Sequence, residues 1–200
     1  MKTITLPLAI LAAAGIAAPA HADTFEGPYV GVAAGWDRGE VSGRIEATPL
    51  DAAASRDALV LGGYAGYNHK LTDRVVIGAE AGFTATVDDR VRATSAGDAL
   101  TVDPRYSFDL GARAGYLVTN KALVYVRGGY ANQRVRTSLD TGTGIIRSSD
   151  NLDGWQIGSG LEYAISEKVS ARLEYRYSDF GRNGSDYERH QTLIGVSYNF

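Results

Sequence analysis

At 200 residues the chain is long enough for one domain and too short for several. Its 20 basic residues against 23 acidic ones give a formal net charge of −3, with none of the basic excess that nucleic-acid binding needs. There is no cysteine, which excludes disulfide stapling and thiolate chemistry.

The first residues read as an export signal. Lys2 supplies the positive start, Leu6 to Ala18 is an apolar run, and Ala20-His21-Ala22 is a small-x-small cleavage site. Residues 1–22 are therefore expected to be a cleaved secretory signal peptide, and residues 23–200 the mature domain. The apolar run is shorter than the roughly 20 residues a transmembrane helix needs, and no later stretch reaches that length.

Eight segments then alternate with a period of two, the signature of a strand with two unlike faces. They lie near 28–37, 57–68, 74–87, 105–117, 122–134, 153–164, 168–179 and 189–200. In the first, Val30, Val32, Ala34 and Trp36 share one parity, while Tyr29, Gly31, Ala33 and Gly35 share the other. In the seventh, Val169, Ala171, Leu173, Tyr175 and Tyr177 oppose Ser170, Arg172, Glu174, Arg176 and Ser178. Most segments are longer than the ~5–6 residues typical of soluble strands and suit a tilted transmembrane strand of ~9–11. The gaps alternate as well. Those after segments two, four and six are tight, whereas Arg38–Arg56, Asp88–Pro104 and Val135–Leu152 read as long loops. Short turns on one side and longer loops on the other predict an all-β fold: an eight-stranded antiparallel up-and-down transmembrane β-barrel with periplasmic turns.

The apolar parity carries aromatics at both strand ends. Tyr67, Tyr116, Tyr163, Tyr198 and Phe200 fall at the turn end, and Trp36, Tyr130 and Trp155 towards the other, as two interfacial belts would. Alternation alone does not say which parity faces inward. The polar parity is rich in glycine, and a narrow interior requires the smaller set. The lumen should then hold Glu80, Arg113, Arg127, Glu162, Arg172, Glu174 and Arg176, with opposite charges meeting across it. An eight-stranded interior is just wide enough for side chains, so a plugged core is expected, with a narrow solute path as the alternative.

Several stretches resemble the small porin-family outer-membrane proteins of alphaproteobacteria. They are Phe25-Glu26-Gly27-Pro28-Tyr29-Val30-Gly31, Arg113-Ala114-Gly115-Tyr116, Gly160-Leu161-Glu162-Tyr163, Leu173-Glu174-Tyr175-Arg176-Tyr177 and the terminal Tyr198-Asn199-Phe200. The resemblance implies a barrel similar to the transmembrane domain of OmpA, inserted by the barrel assembly machinery. It implies location in the outer membrane of a Gram-negative bacterium and little about activity.

Catalytic chemistry is thinly represented. His190 lies near Ser185, Asp186, Glu188 and Asp179, which are the residue types of a hydrolytic site, yet no G-x-S-x-G elbow is present. Asp88-Asp89 and Asp150-Asn151-Asp153 offer oxygen ligands without the spacing of a calcium loop. No enzyme activity, cofactor or metal is expected. Arg134 and Arg136 continue the outward parity beyond Tyr130, where they could meet lipopolysaccharide phosphates. The expected role is structural: a monomer among outer-membrane lipids that supports envelope integrity and displays surface loops. The alternatives are a small-solute channel or loop-mediated adhesion and receptor binding. A folded barrel resists detergent until heated, so the purified protein should migrate differently on a gel before and after boiling, and identical mobility would contradict the barrel.

Overall fold

Residues that alternate between apolar and small or charged side chains satisfy a pleated strand with two different surroundings. The computed structural model describes residues 24–44, 51–88, 91–95, 98–140, 145–180 and 185–200, with side chains at 24–40, 57–87, 106–134, 151–180 and 187–200. It contains β1 (Gly27–Arg44), β2 (Asp51–Lys70), β3 (Val75–Asp88), β4 (Val91–Ser95), β5 (Asp98–Thr119), β6 (Ala122–Asp140), β7 (Ile145–Ala164), β8 (Val169–Asp179) and β9 (Ser185–Asn199). The hydrogen-bonded order is β3-β2-β1-β9-β8-β7-β6-β5-β4, with a further β3–β5 pairing that closes the ring. Because β3 and β4 both pair with β5, they form one stave, and the nine strands make a closed, antiparallel barrel of eight staves.

Most strands exceed the expected segments, above all β5 at 22 residues, while β3 and β8 keep close to them. Gly43 pairs with Ala52, and Asp140 pairs with both Ile145 and Ala99, so much of what reads as long loop is paired backbone. Beyond the apolar segments the side chains lose their alternation. The ladder persists because it is made of backbone N–H and C=O groups, which leave no trace in residue type.

Among the described residues, the connections at 71–74, 120–121 and 165–168 are tight. Each is pinned by a hydroxyl. Thr72 accepts the N–H of Val75 at 3.1 Å, Ser166 that of Val169 at 3.1 Å and Thr119 that of Lys121 at 3.2 Å. The seam between β1 and β9 runs from Tyr29 opposite Asn199 to Gly43 opposite Ser185. Beside it the Phe200 N–H donates to the Pro28 carbonyl at 3.1 Å.

The faces are inverted relative to a water-soluble protein. Val32 and Ile194 are each 66% exposed, whereas Glu162 and Glu174 are 1% exposed. The polar parity therefore faces inward and the apolar parity outward. Ile194 lies on the outer face between the levels of Trp36 and Tyr198, opposite Ala34 and Leu173. Ile194→Arg should cost about 2–4 kcal/mol in bilayers, the depth-dependent cost of a lipid-facing charge. Urea unfolding in lipid vesicles measures it, and an unchanged midpoint would contradict the outward assignment.

Candidate functional site

An eight-stave lumen leaves little room, and glycine decides where large side chains fit. Tyr29, Tyr64 and Tyr125 point inward, each over a glycine of another strand. A β-carbon at Gly66 would strike the ring of Tyr29, one at Gly31 that of Tyr64, and one at Gly160 would come within 2.6 Å of Tyr125. The three rings divide the lumen and carry hydroxyls into its centre. Tyr29 donates to Glu80 at 2.8 Å, Tyr64 shares a 2.8 Å bond with Ser197, and Tyr125 donates to Glu174.

Around them lies an interlocked charge network. Glu80 accepts from Arg127 at 2.7 Å and from Arg172 at 2.6 Å. Glu174 accepts from Arg127 at 3.2 Å and from Arg176. Asp109 bridges Arg127 at 2.5 Å and Arg176 at 3.1 Å. Glu162 accepts from Arg113 at 3.0 Å and from Ser170 at 2.6 Å. The Arg113 guanidinium lies between the rings of Tyr29 and Tyr125, 4.8 and 4.9 Å from their centroids, and its Nε donates to Asn68 at 2.9 Å. Its Nη2 has no hydrogen-bond partner among the described residues, a deficit that the two ring faces offset in part. Arg172 stacks 3.4 Å from the centre of the Tyr64 ring.

All seven residues expected in the lumen thus lie there, buried and joined. Asp109 joins them, bringing the carboxylates to four against four arginines. It shares the parity of Arg113 along β5, which was the available signal. A second pair lies towards the long-loop end, where Arg189 donates to Asp37 at 2.7 Å and to Ser107 at 2.8 Å, and Gln191 donates to Asp37 at 3.1 Å. Parity also marks Asp37 and Arg189, but nothing in the sequence says that two residues 152 apart meet. Inside the lumen, a cavity lined by Tyr64, Thr84, Arg176 and Leu193 holds about 10 Å³. A groove of about 1030 Å³ lies on the outer wall instead, where outward Ala79, Ala112 and Ala114 lie low beside Tyr67 and Ile157.

The belt residues Trp36, Tyr67, Tyr116, Tyr130, Trp155, Tyr163, Tyr198 and Phe200 are all outward and exposed. Two of those towards the long-loop end have polar partners: Trp36 donates to Asp57 at 3.0 Å, and Tyr130 donates to Asp153, which also accepts from Asn132 at 2.7 Å. Arg134 donates to the Tyr106 hydroxyl at 3.2 Å, while the side chain of Arg136 lies outside the described residues. His190 bonds Tyr175 through Nδ1 at 2.6 Å, and its ring lies 5.2 Å from that of Tyr177. Glu188 and Asp179 are register partners two rungs away, and the side chains of Ser185 and Asp186 lie outside the described residues. The side chains of Asp88, Asp89 and Asp150 are likewise outside them. Among the described residues no group of three or more His, Asp or Glu is arranged to hold a metal.

A buried ion pair is costly to break because the remaining partner keeps its charge without compensation. Glu174→Ala removes the carboxylate shared by Arg127, Arg176 and Tyr125. It should destabilise the barrel by about 3–5 kcal/mol, read as a lower urea midpoint. An unchanged midpoint would show that the network contributes little.

The family model of the outer membrane protein beta-barrel domain matches residues 8–200. The 31 kDa outer-membrane immunogenic protein of Brucella melitensis is 29% identical over 92% of this chain and 87% of its own. The 22 kDa outer membrane protein of Rhizobium leguminosarum is 27% identical over 90% of this chain and 80% of its own. Among solved structures, Neisserial surface protein A superposes with a TM-score of 0.55 at 19% identity, covering 88% of this chain and 98% of that one, a likeness of fold. A barrel with lipid-facing apolar staves, a polar lumen and alphaproteobacterial outer-membrane relatives belongs to the outer membrane protein beta-barrel domain family.

Proposed function

We propose that this outer-membrane barrel acts as a structural element of the envelope, with a closed lumen and its long-loop end displayed at the cell surface. One observation carries the reading: the charge network spans the lumen from Asp109 on β5 to Glu80 on β3 and Arg172 on β8, with each of its four carboxylates bound to at least one guanidinium. A solute path would require several of these ion pairs to break together, each at the cost of an uncompensated buried charge. The Brucella relative's designation as immunogenic supports the surface display. The proposed surroundings are outer-membrane lipids and lipopolysaccharide, with outward Arg134 near the lipid phosphates, and the barrel assembly machinery during insertion. The barrel acts as a monomer. No catalytic role is assigned to His190, whose ring is engaged by Tyr175.

Planar-bilayer recording of the purified protein tests the closed lumen. The expected record shows no long-lived discrete open level. A stable open level in most insertions would overturn the reading in favour of a narrow channel.

A further inference from the structure

The residues that lead into β1 do not trail away from the barrel. Phe25 is fully buried, clustered with Val76, Leu117, Leu123, Tyr125 and Ala164, which are inward residues at the short-turn end of four staves. The segment is clasped on both sides. The Thr24 hydroxyl donates to the carbonyls of Ser166 at 3.3 Å and Glu167 at 3.0 Å, in the turn between β7 and β8. The Glu26 carboxylate meets His69 Nδ1 at 3.2 Å and accepts the Lys70 N–H at 3.2 Å, at the end of β2. Gly27, with φ of 98°, then turns the chain into β1, a conformation that only glycine adopts without strain. Three consecutive side chains thus reach two separate turns and the lumen between them.

We propose that Thr24-Phe25-Glu26 seals the short-turn mouth of the barrel, with the Phe25 ring seated in an apolar pocket of the lumen. Phe25 is the stopper, and Thr24 and Glu26 are its two latches. The pocket is lined by apolar side chains, so it fits a ring and rejects an ion. With the stopper seated, water and solutes are kept from the lower lumen. With it withdrawn, they reach the apolar layer as far as Tyr125 and stop at the charge network. The segment lies immediately after the expected signal peptide, so the stretch beside the cleavage site also seals the product.

The absence of native cysteine makes a labelling test direct. Val76→Cys places one thiol in the pocket, and a bulky sulfonated maleimide reports whether water-borne reagents reach it in detergent-folded full-length protein. Phe25→Ala on that background should raise the labelling rate about tenfold or more, because deleting a buried ring opens the site. Phe25→Leu, which keeps apolar bulk, should restore protection to within about threefold of the parent. Gel mobility before and after heating certifies each variant as folded. If Phe25→Ala does not fold, Thr24→Val, which removes one latch, is read in the same way and should also label faster. Equal rates with and without the stopper or latch overturn the proposal. Faster labelling with no gain in bilayer conductance separates the stopper from the closed-lumen reading, which concerns the charge network above it.

Discussion

Inside a bilayer there is no water to satisfy backbone N–H and C=O groups, so a sheet crossing it must leave no edge. The pairing of β1 with β9 meets that demand here, and most other features of the molecule follow from it. Closure with eight staves sets the radius of the lumen. The radius requires glycine opposite every inward tyrosine, and the crowded interior forces the arginines and carboxylates into shared contacts. Had the seam not closed, the apolar outer face would still exist, but the charges inside would meet solvent and the network would lose its low-dielectric setting.

The lumen is graded along its axis. At the short-turn end it is apolar, around Phe25. At mid-height it holds four arginines, four carboxylates and the tyrosine hydroxyls. Above lies the smaller Asp37–Arg189 pair, and at the long-loop end Phe180 is buried, its ring 5.7 Å from that of Tyr187. The balance of charge matters as much as the filling. A lone arginine in this interior would be prohibitive, whereas one whose donors are divided among several carboxylates is tolerated. Arg127 shows the arrangement most fully, with bonds to Glu80, Glu174 and Asp109.

Much of the outer surface was legible residue by residue. Trp36, Tyr130 and Trp155 share the outward parity with Val32 and Ile157, and local alternation is enough to place them. The lumen was legible in membership, since Glu80, Arg113, Arg172 and Glu174 all lie on the polar parity of their strands. It was not legible in partnership. Glu80 and Arg172 are 92 residues apart, and their 2.6 Å contact depends on stave order, stagger and the rotamers left free by the tyrosines. Strand ends were misjudged for a related reason: from Asp37 to Arg44 the pattern no longer alternates cleanly, yet the backbone continues to pair.

The amino-acid sequence by itself determined eight alternating segments, each with one apolar face and one polar, glycine-rich face, because a period of two and residue size are local properties. Only the tertiary structure decided which charges would bind one another, that Asp109 would complete the balance, and that Phe25 would turn into the mouth between the Ser166 and Lys70 turns. Those outcomes depend on ring closure, which brings residues from distant parts of the chain into a space too narrow for any of them to stay apart.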